Sequence, residues 1–436
     1  MRGRVAVAVA AFAALLVPSS ASAQSFWTGH RVLNIAHQGG EAEAPSNTMY
    51  AYERALKLGA DMLEVDVHTT ADGRLVAMHD ARVDRTTDGT GYVYEMTLAE
   101  VRRLDAAHDF VPGIGTRNDM PRSSYPFRGV RTGERRPPPG YTRADFRIPT
   151  LDQVMRAFPE VPINIEIKGR GDTDTDSFFR NADLLAAFLN GLGRTEGIIV
   201  ASFNQMALER FHAQAPQIAM APAISEVALF KVASTPLSEG MVAFQVPITF
   251  EGIPVTDADF VNRAHARGYA VHVWLSNDGE DEGIYERLLG WNVDGIMAGE
   301  PGRLEGVLCA AGVARPDRGK GWPGGRHCSG RSSIACRVEP VGFVIRSPRT
   351  VLIQVRRRDE FAGRCAGRIR IGRVGRPPLI RGSFDFGNVP PGEGGPGLLT
   401  VRERMGRAAY RKLTGGGRNV VTSQPHDGYP GRFKLY

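Results

Sequence analysis

The sequence predicts an α/β protein whose main domain, residues 31–308, is a TIM (β/α)8 barrel. Short apolar runs alternate with helical patterns over this range, and that alternation is typical of a parallel α/β fold. About eight of the runs can form parallel strands, which is the number that closes a barrel. No glycine-rich nucleotide loop follows the first run, so an open doubly wound sheet is the less favoured alternative.

The strands are predicted from short apolar runs, and the helices from the amphipathic segments between them. The predicted strands are Val32–Ala36, Met62–Val67, Leu75–His79, Pro162–Ile167, Ile198–Ser202, Ile218–Ala221, Val242–Val246, Ala270–Leu275 and Gly295–Ala298. The predicted helices are Thr48–Leu58, Leu98–Leu104, Asp176–Leu189, Gln205–His212, Asp257–Arg267, Glu282–Leu289 and Arg303–Leu308. The strand Leu75–His79 follows a turn at Asp72-Gly73 that is too short for a crossover connection. We therefore expect it to pair antiparallel, as the second arm of a hairpin.

Residues 108–147 interrupt this alternation with a long segment rich in Pro, Gly and Arg. An irregular segment of this length inside a compact domain is usually a functional lid or a disordered insertion. Its arginines could steer an anionic substrate toward the barrel, and a plain solvated insertion is the alternative.

The composition, with 42% hydrophobic and 23% charged residues among 436, is that of a soluble globular protein long enough for two domains. Residues 1–23 have the features of a signal peptide. Arg2 and Arg4 precede an apolar run, Val5–Val17, and the small residues Ala21–Ala23 suit signal-peptidase cleavage. A membrane anchor is the alternative, but the run is shorter than the roughly 20 residues that span a bilayer. We therefore expect an exported protein, secreted or held in the cell envelope.

The C-terminal segment, residues 309–436, differs from the barrel in charge and in cysteine content. It has 25 Lys and Arg against 8 Asp and Glu, whereas residues 1–308 have 29 against 39. In an exported protein, four cysteines in one segment predict two disulfides, with a zinc site as the alternative. These cysteines are Cys309, Cys328, Cys336 and Cys365. We expect a small β-rich domain that could contact anionic lipid or cell-wall polymer, with a merely solvated basic surface as the alternative. Nucleic acid is not an expected partner.

Three carboxylates lie at strand ends of the predicted barrel. Glu64 and Asp66 are two residues apart in one strand and so share a face, and Glu166 is near the end of another strand. TIM barrels carry their active sites at the C-terminal ends of the strands. Three carboxylates there would repel one another unless a cation lay among them, and oxygen ligands suit Ca²⁺ or Mg²⁺ rather than zinc. The alternative is a separate salt bridge for each, for example between Glu166 and Lys168.

Two histidines complete this predicted site. His37 follows the first strand, and His79 ends the hairpin arm, which returns it to the level of the carboxylates. An imidazole can take or give a proton near neutral pH, so the pair suits acid/base chemistry. His68 lies beyond the carboxylates on its strand and is interpreted as structural.

Several separated motifs resemble those of the glycerophosphodiester phosphodiesterase family. They begin with AHQGG and APSNT, continue through LGADMLEVDVHTTADGRLVAMHD, and end with IPTLDQVM, INIEIKG, VHVWLSN and VDGIMAGEP, in that family's order. The resemblance covers roughly residues 31–306. It implies a TIM barrel that uses a divalent cation and two histidines to hydrolyse glycerophosphodiesters to glycerol 3-phosphate and an alcohol.

The resemblance also implies a role for individual residues, carried over by position. The metal ligands are Glu64, Asp66 and Glu166. The acid and base are His37 and His79. The substrate-binding residues are Lys168, which contacts the phosphate, together with Gln38 and Trp274.

The sequence departs from the family pattern near the first histidine and near the last strand. Gln38 replaces an arginine, Ser46 replaces a glutamate, and the segment 298–300 replaces a Thr-Asp pair. The phosphate charge could instead be met by Lys168 or by an arginine of residues 108–147. Two alternatives therefore stay open: a phospholipase-D- or sphingomyelinase-D-like enzyme that acts on lipid phosphodiesters, and a non-catalytic binding protein whose site has decayed.

Overall fold

A computed structural model describes residues 27–28, 32–171, 173–275 and 280–313 with their side chains, and the backbone of seven strands between residues 338 and 435. In the first part the strands are β1 Leu33–Ala36, β2 Met62–Thr69, β3 Leu75–Ala77, β4 Phe110–Val111, β5 Gly115–Thr116, β6 Ile163–Ile167, β7 Ile198–Ala201, β8 Ala219–Met220, β9 Ala243–Pro247, β10 Thr249–Phe250, β11 Ile253–Pro254, β12 Ala270–Trp274 and β13 Gly295–Ala298. The α-helices are α1 Met49–Leu58, α2 Leu98–Val101, α3 Leu151–Ala157, α4 Thr175–Leu192, α5 Gln205–Gln214, α6 Ile224–Ala233, α7 Ala258–His265, α8 Glu282–Gly290 and α9 Pro301–Ala310.

Eight of these strands run parallel and form the wall of a nearly closed barrel. Their order around the wall is β8-β7-β6-β2-β1-β13-β12-β9. A parallel bridge between Met220 and Met241 brings the two end strands together, and the Val242 N–H donates to the Met220 carbonyl at 2.9 Å. The predicted TIM barrel is confirmed, and each predicted strand is present with its ends shifted by at most two residues.

The alternation of side chains along β2 decides which residues enter the barrel. Leu63, Val65 and Val67 are fully buried in the apolar core between the wall and the surrounding helices. Successive side chains of a strand point to opposite faces, so Glu64 and Asp66 project into the barrel interior. The sequence motif therefore places two carboxylates inside the barrel.

The strand β3 is the antiparallel partner of β2, as predicted. Val67 pairs with Ala77, and Gly73 has the positive φ of 73° that the turn between the two strands uses. The strand ends at Ala77, two residues earlier than predicted. The Met78 N–H nevertheless donates to the Asp66 carbonyl at 3.0 Å, so the chain approaching His79 stays beside the end of β2.

Two helices, α3 and α6, are absent from the sequence prediction. The helix α3 has seven residues and depends on a capping box between Thr150 and Gln153. The helix α6 carries apolar residues on several sides, so its sequence lacks the one-sided period by which a surface helix is predicted. Both helices lie in connections between consecutive strands of the barrel wall.

Residues 108–147 pack against the outside of α1 through aromatic side chains. The ring of Tyr50 on α1 lies 4.7 Å from that of Phe146 and 5.0 Å from that of Phe127. Arg128 lies over the ring of Tyr125 at 3.6 Å and is bonded to Asp109 at 2.6 Å. The arginine therefore has a structural role, and no residue of 108–147 lines the cavity described below.

The described backbone beyond residue 338 consists of strands in two antiparallel sheets. The strands are β14 Val338–Ser347, β15 Thr350–Arg357, β16 Gly363–Arg373, β17 Ile380–Val389, β18 Gly397–Arg404, β19 Asn419–Pro425 and β20 Gly431–Leu435. The sheet orders are β14-β15-β18 and β17-β16-β19-β20, in agreement with the predicted β-rich character. Cys309 lies in α9. The side chains of Cys328, Cys336 and Cys365 and the predicted signal peptide lie outside the described residues. Among the helices described, none combines the length and apolar character needed to cross a bilayer.

Candidate active site

Three carboxylates meet near the C-terminal ends of two neighbouring barrel strands. Glu64 and Asp66 come from β2, and Glu166 comes from β6, where it pairs in register with Asp66. One carboxylate oxygen from each of the three lies within 4.8 Å of the others. The predicted cluster is thus brought together by the parallel register of two strands.

The electrostatics of the cluster leave one carboxylate short of positive charge. Burial and the adjacent Asp66 carboxylate raise the pKa of Glu64 well above its ordinary value. Burial opposes the ionisation of Asp66 too, but Lys168, the two histidines and the hydrogen bond from Asn47 together outweigh it and hold the pKa of Asp66 far below its ordinary value. Among the described residues, Glu64 Oε1 is buried with no hydrogen-bond partner. An all-oxygen set with a buried, unpartnered carboxylate oxygen fits a hard divalent cation.

Lys168 provides the one positive side chain in direct contact with the described cluster. Its Nζ lies 2.7 Å from Glu166 Oε1 and 3.1 Å from Asp66 Oδ1. These contacts outweigh the effect of burial and raise the pKa of Lys168 above its ordinary value. The salt bridge between Glu166 and Lys168 anticipated from the sequence is present, but one ammonium does not balance three carboxylates.

His37 follows β1 and is oriented by a carboxylate. Its Nδ1 lies 2.7 Å from Glu41 Oε1. Because an ionised carboxylate only accepts, Nδ1 carries the shared hydrogen and Nε2 is left for chemistry. Burial disfavours the charged ring, but Glu41 and the more distant Glu64 and Asp66 outweigh that effect and raise the pKa of His37 to about 10.

His79 is oriented in the same way by its neighbour in sequence. Its Nδ1 lies 2.7 Å from Asp80 Oδ1, and Arg85 binds both oxygens of Asp80 at 2.5 and 2.9 Å. Burial opposes ionisation, but the bonds from His79 and Arg85 hold the pKa of Asp80 far below its ordinary value. His79 is close enough to Asp66 for its charge to favour that carboxylate. His68, interpreted as structural, contacts the His79 carbonyl at 3.1 Å.

Two residues that the sequence reasoning missed orient side chains of the site: Asn47 orients Asp66, and Glu41 orients His37. Asn47 Nδ2 donates to Asp66 Oδ2 at 3.0 Å, and Asn47 Oδ1 accepts from the Tyr52 hydroxyl at 2.7 Å. Asn47 has a φ of 54°, a conformation that Asn adopts more readily than most residues. It lies in the APSNT motif, which marked the position without indicating a role. The second missed residue is Glu41, whose only sequence signal is its spacing of four from His37.

Gln38, predicted to contact the substrate, contacts the carboxylate cluster through its main chain. Its backbone N–H donates to Glu64 Oε2 at 2.7 Å, and its φ is 50°. Its side chain is buried and does not line the cavity. Position 38 therefore acts on the cluster through its main chain.

The cluster opens into a cavity of about 310 Å³. Four predicted site residues line it, namely His37, Glu64, Glu166 and Trp274. The other four, Gln38, Asp66, His79 and Lys168, do not line it among the described residues. The Trp274 indole N–H donates to the Gln245 carbonyl at 3.3 Å, which fixes the ring at the wall of the cavity.

A parallel barrel with a carboxylate cluster and carboxylate-bound histidines at its strand ends has the layout of a TIM-barrel enzyme. The chain belongs to the glycerophosphoryl diester phosphodiesterase family, whose sequence pattern matches residues 37–303. It is 30% identical over 285 residues to the glycerophosphodiester phosphodiesterase of Caldanaerobacter subterraneus, with 65% of this chain and 100% of that protein covered. It is 27% identical to the glycerophosphodiester phosphodiesterase of Bacillus subtilis, with 65% and 88% covered. The chain is thus a phosphodiesterase.

A solved structure supports the fold. The protein from Silicibacter pomeroyi assigned to the glycerophosphoryl diester phosphodiesterases superposes with a TM-score of 0.53 at 21% identity. The superposition covers 68% of this chain and 99% of that chain. The family match ends at residue 303, before the basic C-terminal segment begins.

Proposed function

We propose that the enzyme hydrolyses glycerophosphodiesters to glycerol 3-phosphate and an alcohol, with one divalent cation, Ca²⁺ or Mg²⁺. Glu64, Asp66 and Glu166 would hold the cation, since their oxygens converge and one of them is buried without a partner. A bound cation would neutralise a non-bridging phosphate oxygen and the charge that develops in the transition state. Lys168 adds a positive charge beside the same carboxylates.

The two histidines supply the proton transfers in this proposal. One removes a proton from the attacking oxygen, which belongs to water or to the 2-hydroxyl of the substrate's glycerol. The other protonates the alcohol oxygen as its bond to phosphorus breaks. Glu41 and Asp80 fix Nδ1 of each ring, so that Nε2 of His37 and of His79 is the reacting nitrogen.

The observation that carries the proposal is the juxtaposition of the acidic cluster with His37 along one cavity. Structural ion pairs alone would leave neither an unpartnered buried carboxylate oxygen nor an imidazole beside it. Both are present, and both face the same space. A decayed binding site has no such requirement for a complete acid/base and carboxylate set.

The test is turnover of a panel of glycerophosphodiesters, beginning with glycerophosphocholine, with and without a chelator. We expect activity to be lost on chelation and restored by Ca²⁺ or Mg²⁺. Activity that is unchanged after exhaustive chelation would contradict the metal assignment, and the absence of any turnover would contradict the proposed reaction.

We also propose that the protein is exported and that its C-terminal segment carries two disulfides. The charge of that segment, 25 basic against 8 acidic residues, suits contact with anionic lipid or cell-wall polymer. N-terminal sequencing of the secreted protein should begin at Gln24. Vesicle binding by the full chain that does not weaken between low and high salt would contradict attraction by charge.

A further inference from the structure

The half of the cavity that lies away from the carboxylates is lined almost entirely by apolar side chains. They come from the loop after β7, from helix α6 and from the hairpin β10–β11. The apolar lining includes Phe203, Ile224, Val227, Val232, Phe250 and Ile253. This apolar half, called the apolar groove below, is continuous with the acidic half because both line one cavity.

The few polar side chains along the apolar groove already have partners within the protein. The Ser202 hydroxyl donates to the Ile167 carbonyl at 2.9 Å, and the Gln245 amide donates to Asn164 Oδ1 at 3.2 Å. Lys231 Nζ is paired with an aspartate oxygen at 2.9 Å. A small polar alcohol in this space would lose hydrogen bonds to water and find few in exchange, so the lining suits an apolar group.

The helix α6 exposes apolar side chains at the mouth of the groove. Val232 is 87% exposed and Ile224 is 46% exposed, and Phe230 is the one side chain of this helix that is fully buried. The tip of the hairpin β10–β11 adds Ile253, which is 67% exposed. An exposed apolar patch at the entrance of a substrate cavity indicates a binding site for apolar ligands.

Aromatic rings mark the junction of the two halves. The ring of Phe203 lies 6.1 Å from that of Trp274 and 6.4 Å from that of Phe250. Lys168 Nζ lies 6.0 Å from the same Phe203 ring. A ligand that spans the junction would have its phosphate beside Glu64 and Glu166 and its hydrocarbon on the aromatic side.

We propose that this enzyme acts on phosphodiesters that carry one long acyl or alkyl chain on the glycerol, with the chain in the apolar groove. The inference rests on the proposed function, because the phosphate is placed at the acidic cluster. Water adds to phosphorus, and the bond from phosphorus to the head-group oxygen breaks. The head-group alcohol leaves with a proton, and the product is an acylglycerol phosphate monoester.

The first experiment compares glycerophosphocholine with lysophosphatidylcholines of hexanoyl, octanoyl and decanoyl chain length, all below their micelle concentrations. Transfer of each methylene from water into an apolar site favours binding by about fourfold. We expect kcat/KM to rise by roughly two- to fourfold per methylene until the groove is filled. A flat or falling series, with glycerophosphocholine still turned over, would overturn the inference and leave the proposed function standing.

A pair of variants on helix α6 tests where the acyl chain of the substrate binds. Val232→Asp places a charge in the lining, whereas Leu229→Asp places one at a residue that is also exposed, at 56%, but does not line the cavity. We expect Val232→Asp to lower the ratio of kcat/KM for the decanoyl substrate to that for glycerophosphocholine by about tenfold. Leu229→Asp should leave that ratio unchanged.

The outcomes separate the two proposals. If the ratio of the two kcat/KM values were the same in both aspartate variants, the placement of the acyl chain in the apolar groove would be overturned. Turnover of neither substrate by the metal-loaded enzyme would overturn the proposed function together with the inference. Product analysis that finds fatty acid in place of choline would show that the groove holds the chain for a different reaction, and this too would overturn the proposal.

Discussion

The two halves of the cavity contrast in the origin and chemistry of their side chains. The acidic half comes from residues at the ends of β1, β2 and β6. Every carboxylate in it accepts a hydrogen bond or forms an ion pair with a neighbouring group. The apolar groove comes from one helix, one loop and one short hairpin, and several of its side chains are exposed. Under the two proposals made above, the barrel strands carry the reaction and the connections carry the choice of substrate.

The two halves also destabilise the fold in different ways. Burying Glu64 beside Asp66 opposes folding, because two carboxylates share a site of low dielectric. The apolar groove opposes stability in another way, since it leaves hydrocarbon in contact with water. Both costs fall when a ligand of the matching chemistry binds, which is why both halves are expected to be functional.

The largest effect should follow from removing a carboxylate of the acidic half. Glu64→Gln keeps the shape of the side chain and removes its charge, so we expect kcat/KM to fall on the order of ten-thousandfold, with weakened cation binding. Kinetics and calorimetric titration with Ca²⁺ and Mg²⁺ measure the two losses. Glu160→Gln, at an exposed surface position, is the control and should change neither. Wild-type affinity for the cation in Glu64→Gln would contradict the assignment of this residue.

Removing either histidine should have the next largest effect. His37→Ala and His79→Ala are each expected to lower kcat by about a thousandfold while cation binding is kept, because general acid/base catalysis contributes at that level. His108 is the matched control, since it too contacts an aspartate through Nδ1, at 3.0 Å, but lies away from the cavity. Full activity of either site variant would exclude that ring from proton transfer.

A smaller effect should come from the residue that orients His37. Glu41→Gln removes the anion that favours the charged imidazole, so the pKa of His37 falls from its raised value of about 10. We expect kcat/KM to fall by roughly tenfold, and the limb of its pH profile that reports His37 to move to lower pH. Glu53→Gln, on the exposed side of α1, should leave the profile in place. An unmoved profile in Glu41→Gln would show that this contact is only structural.

The smallest effect should arise at the junction between the halves. Phe203→Ala removes the ring between Lys168 and the apolar groove, and we expect KM for the decanoyl substrate to rise about fivefold relative to KM for glycerophosphocholine. Met206→Ala serves as the control, because Met206 is exposed to a similar extent, 50% against 46% for Phe203, but does not line the cavity. An equal change in KM for both substrates would place the ring with the acidic half instead.

Much of the acidic half could be predicted from local sequence. Alternation in β2 assigns Glu64 and Asp66 to one face, and the parallel barrel assigns Glu166 to the same end of the molecule. The orienting contacts were beyond that reasoning. Asn47 reaches Asp66 only because the turn after β1 takes positive φ, and a single sequence does not reveal such a turn.

The apolar groove could not be predicted in the same way. The apolar residues of α6 resemble those of a core segment, and the sequence does not show that Ile224 and Val232 stay exposed. Exposure depends on which elements cover a helix, and that is known only when the barrel is assembled. The packing of residues 108–147 could not be predicted for the same reason. Their aromatic side chains contact Tyr50, which is far away in the sequence.

By itself the sequence determined the barrel, the strand ends and the residues that carry charge, because these follow from hydrophobic period and residue chemistry along a short stretch of chain. Only the tertiary structure decided which of those residues meet, which hydrogen bonds orient them and where the cavity turns apolar. Those properties depend on contacts between residues far apart in the chain, and no local pattern encodes such distances.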